Sequence, residues 1–178
     1  MFYAIATLLD DEVWDRILES NPRVRDLILN HRSPLDYAHF SWLVCEELDR
    51  EKTISSLEEI SSSITSFDVQ SGGIGIFPGT IPAITYILAR NEKLAQIQTL
   101  IWSTCSVNME KVNVKYSPER WIPHITLLHY GLESREYCEF LETCIDSEVS
   151  FSVKVNNLAI IYKDEDSAGL LHKCDLPR

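Results

Sequence analysis

Two short stretches of this chain place a histidine two residues ahead of a hydroxyl, inside an apolar run. They are His39-Phe40-Ser41-Trp42-Leu43-Val44 and His124-Ile125-Thr126-Leu127-Leu128. Alternate residues of a β-strand share a face, so each histidine points the same way as its hydroxyl partner. Phe40, Trp42, Ile125 and Leu127 then point the other way, into a core. An imidazole can give or take a proton near neutrality, and a hydroxyl can donate to a charged oxygen. Two of each, held on rigid strands, would flank one phosphate with a base, an acid and two hydrogen-bond donors. One such triplet is too short to signify; the pairing is the signal.

The elements needed to position these groups are legible in outline. Met1–Leu9 reads as a first strand, and Asp10 or Asp11 can cap a helix running to about Asn30, with a break at Pro22. A helix from Asp49 to about Ser66 carries Ile54, Leu57, Ile60 and Ile64 at helical spacing. The Gly72-Gly73-Ile74-Gly75-Ile76-Phe77-Pro78-Gly79 stretch lacks the ending of a phosphate-cradling loop. It reads instead as a strand in which Gly73 and Gly75 permit close backbone packing. A β-run over Ile81–Ala89, a helix from Glu92 to about Val107 and a short extended piece at Val112–Val114 lead to the second motif. A helix over Glu133–Ile145 follows it. Val149–Tyr162 is β-rich with a bulge expected at Asn156-Asn157, and Lys163–Gly169 turns into a last strand over Leu170–Cys174. Strands outnumber simple crossovers, so the expected class is α+β with antiparallel sheets.

Composition narrows the function. At 178 residues, with 45% hydrophobic and 24% charged residues, the chain suits one domain, 1–178, of two lobes sharing a core. No apolar stretch approaches the roughly 20 residues that span a bilayer, and the apolar start has no basic leader, so no membrane is expected. The five cysteines are scattered and form no C-x-x-C pair. A disulfide framework and a zinc site are therefore not expected, and a cytoplasmic location is the simplest expectation. A net charge of −11 argues against a long nucleic-acid duplex as partner, although a local positive pocket remains compatible with it.

The two motifs resemble the signature of the two-histidine (2H) phosphoesterases, which include the 2′-5′ RNA ligase-like proteins and 2′,3′-cyclic phosphodiesterases. His39-Phe40-Ser41-Trp42 and His124-Ile125-Thr126-Leu127 both fit its His-x-Thr/Ser-hydrophobic form. Arg120-Trp121-Ile122-Pro123 resembles the lead-in to the second motif. Gly73-Ile74-Gly75-Ile76-Phe77-Pro78 resembles a family strand, and so does Phe2-Tyr3-Ala4-Ile5-Ala6. The resemblance implies a bilobed fold: two pseudo-symmetric halves whose antiparallel sheets line a central cleft, with helices packed outside.

It further implies a metal-independent phosphodiesterase without cofactor. The substrate would be a 2′,3′-cyclic phosphate, or a 2′,5′ linkage, at a nucleotide or RNA end. His39 and His124 would be the acid/base pair, and Ser41 and Thr126 would bind the phosphate. One departure stands out, because His129 occupies a position where relatives often carry arginine. His129, Tyr3 and Phe77 are possible substrate contacts, whereas His31 and His172 have no motif context. Two rival expectations are a nucleotide-binding module of the same fold without catalysis and a 2′-5′ RNA ligase. A monomer is expected.

Overall fold

A computed structural model describes residues 1–19, 25–26, 38–79, 82–128, 134–145, 150–164 and 167–178. In chain order the elements are β1 (Phe2–Leu8), α1 (Asp11–Glu19), β2 (His39–Cys45), β3 (Glu47–Leu48), α2 (Arg50–Ser63), β4 (Phe67–Phe77) and β5 (Ala83–Leu88). There follow α3 (Glu92–Cys105), β6 (Met109–Glu110), β7 (His124–Leu128), α4 (Ser134–Ile145), β8 (Ser152–Val155), β9 (Asn157–Lys163) and β10 (Ala168–Asp175). Both motifs lie on strands, β2 and β7. The class is α+β, with antiparallel pairing throughout. The remainder of the first expected helix beyond Glu19, its break at Pro22 included, falls largely outside the described residues.

Eight strands join in one sheet, ordered β10-β9-β1-β2-β7-β5-β4-β8, rather than in two separate ones. The two motif strands are its middle pair, and their registered bridge is Phe40 opposite Ile125. Beyond that bridge β7 diverges, and the chain before it fills the wedge against β2. The Asn113 amide donates to the Val44 carbonyl at 2.8 Å, and the Trp121 indole donates to the Ser41 carbonyl at 2.9 Å. Val112–Val114 is accordingly not a full strand. Asn113 uses its side chain to cap a 3-10 turn over Val114–Tyr116, accepting from the Lys115 amide.

The sheet is curled, and the sequence order shows why. β8 lies at one end of the sheet and β9 next to the other end, yet only Asn156 separates them. Consecutive Cα atoms are 3.8 Å apart, so the sheet must bend until its ends nearly meet. The expected bulge at Asn156-Asn157 is this crossing. Asn157 fastens it, because its side-chain amide accepts from the Leu8 amide and donates to the Leu8 carbonyl.

One face of the sheet packs on helices. Leu57 and Ile60 of α2 and Ile97 and Ile101 of α3 join Phe40, Trp42, Ile125 and Leu127, all buried, in the core. Asp49 and Asn91 start these helices by accepting the amides of Lys52 and Leu94, which supplies hydrogen-bond partners at the N-termini. Among the described residues no helix is long and apolar enough to cross a membrane.

Candidate active site

The bridge between Phe40 and Ile125 determines how the two motifs meet. One residue to either side, antiparallel register sets His39 against Thr126 and Ser41 against His124. All four residues share the face opposite the buried Phe40 and Ile125. The histidines stand on one diagonal and the hydroxyls on the other, with roughly 7–8 Å between diagonal neighbours. Both histidines are half-buried, Ser41 is buried and Thr126 is exposed. Two motifs 85 residues apart thus converge on one patch.

β1 and β2 pair with a shift at Trp42: Ile5 lies opposite Leu43 while Ala6 lies opposite Ser41. Trp42, left without a partner in β1 by this bulge, lies on the core face with Phe40, and its indole donates to the buried Thr7 hydroxyl at 2.9 Å. Trp42 also stacks on Trp121, with ring centroids 5.3 Å apart and planes 19° from parallel. The backbone that carries Ser41 is therefore held from both sides.

His124 is oriented by its neighbours. Its Nδ1 lies 2.7 Å from the Ile122 carbonyl, which can only accept, so Nδ1 carries the proton. In the neutral ring Nε2 is then the basic nitrogen. Phe77 packs edge-on against the same ring at 4.7 Å between centroids. Its strand can approach because position 75 is glycine: a Cβ there would lie 2.6 Å from Ile87 Cδ1, and Ile87 is the cross-strand partner of His124. The expected role for Gly75 holds. Gly73 serves differently, adopting φ 130° at a bulge in β4.

A cleft of about 770 Å³ opens beside β7. His124, Thr126 and Phe77 form one part of its wall, and Asn113, Lys115, Tyr116, Arg120 and Trp121 another. His39 and Ser41, one strand over, do not line it, but Ser41 borders it through two residues that do. Trp121 bonds the Ser41 carbonyl, and the Tyr116 hydroxyl is hydrogen bonded to the Ser41 side chain. Burial pushes the Tyr116 phenol above its ordinary pKa, while the bond to Ser41 opposes that shift. Gln98, fully buried on α3, donates to the Tyr116 carbonyl and fixes the turn. No Asp or Glu is among the described residues lining the cleft, although acids outnumber bases 27 to 16 in the whole chain.

Other candidates fall elsewhere. Tyr3 shares a face of β1 with Ile5 and Thr7, whose partners Leu43 and Phe40 are core residues, and it pairs with Cys45. That places it on the helix-covered side, roughly 20 Å along β2 from His39. It is not part of this patch. The bulge and the pairing that decide this were not visible in sequence. His172 lies against α2, its Nε2 3.2 Å from a Glu58 carboxylate oxygen. His129 and His31 lie outside the described residues. Tyr116, Lys115 and Gln98 were missed in sequence, since a turn residue and a helix glutamine carry no motif. Arg120 was visible only as part of a lead-in.

Comparison with known proteins gives the family and the fold. The family model of the 2′-5′ RNA ligase superfamily matches residues 10–167. No curated protein matches by sequence. Among solved structures, one described as a phosphoesterase shares 15% identity at a TM-score of 0.58, covering 99% of this chain and 98% of its own. Escherichia coli LigT complexed with 3′-AMP shares 17% at 0.57, covering 99% and 98%. Usb1 of Kluyveromyces marxianus shares 10% at 0.53, covering 96% and 97%. These likenesses show the fold, a curled antiparallel half-barrel with four helices. With its family model matched over most of its length and both motifs on the central strands, the chain belongs to the 2′-5′ RNA ligase superfamily of two-histidine phosphoesterases.

Proposed function

We propose that the protein is a metal-independent phosphodiesterase that opens a 2′,3′-cyclic phosphate, or cleaves a 2′,5′ linkage, at a nucleotide or RNA end. The observation that carries this reading is the square of His39, Ser41, His124 and Thr126 on one sheet face. One histidine takes a proton from water as its oxygen attacks phosphorus. The other gives a proton to the ribose oxygen as the P–O bond breaks. Ser41 and Thr126 donate to the nonbridging oxygens as charge builds on them. The diagonal separation leaves space for a phosphorus centre between the two rings, as in-line displacement needs. The halves β10-β9-β1-β2 and β7-β5-β4-β8, each with one motif strand at the junction, act as two pseudo-symmetric lobes. LigT has been crystallised with 3′-AMP and with phosphate, which accords with a phosphate-sized subsite here.

The test is incubation with each of the four nucleoside 2′,3′-cyclic monophosphates, with EDTA present, followed by separation of the products. Ring opening that is lost in both His39→Ala and His124→Ala supports the proposal and shows which oxygen keeps the phosphate. Turnover retained in either variant overturns the mechanism. Binding without turnover of these esters or of 2′,5′-linked dinucleotides would mark a binding module instead. Sealing of RNA ends in preference to hydrolysis would mark a ligase.

A further inference from the structure

We infer that the cleft holds a second anion subsite, formed by Lys115 and Arg120, that takes a phosphate on the 5′ oxygen of the reacting nucleotide. This rests on the placement of the reacting phosphate between His39 and His124. A cyclic phosphate diester carries a single negative charge, and that patch already offers it two hydroxyls and an imidazolium. Yet the adjoining wall adds two permanent cations and no carboxylate among its described residues, in a chain of net charge −11. Low-dielectric walls focus the field of such cations on whatever enters.

The segment that carries them is anchored where the proposal needs it. The Asn113 amide is bonded to Val44, the Gln98 side chain holds the Tyr116 carbonyl, and Trp121 is fixed to Ser41. The amides of Arg120 and Trp121 both donate to the Ser117 carbonyl at 2.9 Å, closing the turn between the two cations. Lys115 and Arg120 are each adjacent in sequence to a residue bonded to Ser41. The second anion therefore sits on the Ser41–His124 side of the reacting phosphate. A cleft of about 770 Å³ lies in the upper part of the range for small-molecule sites, larger than one phosphate requires.

On a nucleoside 2′,3′-cyclic phosphate, the remaining position for a phosphate is O5′. It is either a terminal 5′-phosphate or the phosphodiester to a preceding nucleotide. Both present the same chemistry to a lysine and an arginine.

Calorimetry of the intact protein with adenosine 3′-monophosphate and adenosine 3′,5′-bisphosphate tests the subsite without relying on turnover. The bisphosphate is expected to bind about tenfold more tightly at low salt, from two partly exposed ion pairs, with the advantage shrinking as salt is raised. In Lys115→Ala/Arg120→Ala the ratio should approach one. Equal affinities in the unmodified protein, or a ratio that survives the double substitution, would overturn the inference. Absence of binding by both nucleotides would overturn it together with the placement of the reacting phosphate.

Kinetics then distinguish the two sources. If the physiological group is the internucleotide phosphodiester, a dinucleotide ending in a 2′,3′-cyclic phosphate should exceed the 5′-phosphorylated mononucleotide in kcat/KM. Replacing its linkage with a neutral methylphosphonate should abolish that gain. The reverse order assigns the terminal 5′-phosphate. Failure of turnover on every cyclic ester, with the bisphosphate preference intact, would sink the proposed activity and leave the subsite standing.

Discussion

Removing one oxygen, in Tyr116→Phe, separates the turn's mechanical role from its chemical one. The phenol is hydrogen bonded to the side chain of Ser41, the hydroxyl proposed above to hold the phosphate. Because burial holds the Tyr116 pKa above its ordinary value of 10.0, the phenol stays neutral throughout the neutral range, and its bond to Ser41 is one between two uncharged hydroxyls. A neutral hydrogen bond is worth a net 0.5–1.5 kcal/mol, so Tyr116→Phe should lower kcat about two- to tenfold. Ser41→Ala removes a donor to the developing charge and should cost about 10²- to 10³-fold. If Tyr116 acts through Ser41, Tyr116→Phe adds nothing in the Ser41→Ala background. The assay is a double-mutant cycle on kcat for cyclic phosphate opening, with thermal unfolding of all four proteins as the control. Losses that simply multiply would refute the reasoning, because they would assign Tyr116 an effect independent of the hydroxyl it touches.

Further outcomes follow from the same geometry. With one histidine acting as base and the other as acid, kcat/KM against pH should be bell-shaped; a flat profile across pH 5–9 would contradict paired proton transfer. Gly75→Ala should lower Tm and kcat together. Its Cβ would press within 2.6 Å of Ile87, at a cost of about 1–3 kcal/mol, and Gly75→Ala/Ile87→Ala should regain much of the kcat loss. Alkylation followed by peptide mass spectrometry should modify exposed Cys138 well before buried Cys45 and Cys105. Burial pushes those two thiols up to about 11 and about 12. A raised folded-state pKa means the folded protein keeps protons that the unfolded chain releases above its thiol pKa of about 8.5. The stabilisation from each thiol is whole below that pH. It should fall by about 1.4 kcal/mol per pH unit from there to the folded value, measured by urea unfolding against pH.

What was legible in sequence is what depends on local pattern. Alternation put Phe40, Trp42, Ile125 and Leu127 in the core, and all four are buried. Asp49 and the glutamate after Asn91 marked where α2 and α3 begin. The family was legible because two motifs repeat a residue pattern that one motif could not make significant. What escaped depends on register and on partners far along the chain. Tyr3 drew notice as an aromatic on a family-like strand and a possible substrate contact, but only its pairing with Cys45 shows which face it takes. Tyr116 and Gln98 act through bonds to Ser41 and to a turn carbonyl, and no spacing rule encodes such bonds. Val149–Tyr162 looked like one strand because its two halves are equally apolar; Asn156 divides them between opposite ends of the sheet.

The crossing at Asn156 also bears on how the molecule is made. β1, the second residue onward of the chain, is flanked in the sheet by β2 and by β9, whose residues begin at Asn157. During synthesis from the N-terminus, the strand bearing His39 waits for β7, and β1 waits longer, for β9. The half β7-β5-β4-β8 comes from one continuous piece of chain, residues 67–155, whereas β10-β9-β1-β2 joins residues 2–45 to residues 157–175, so the first can pair ahead of the second. Long-range pairing of this kind slows folding and leaves an apolar strand edge open while it waits. The strand bearing His124 can therefore pair with β5 before the half that carries His39 is complete, and the two histidines meet only where the halves join, at the bridge between β2 and β7.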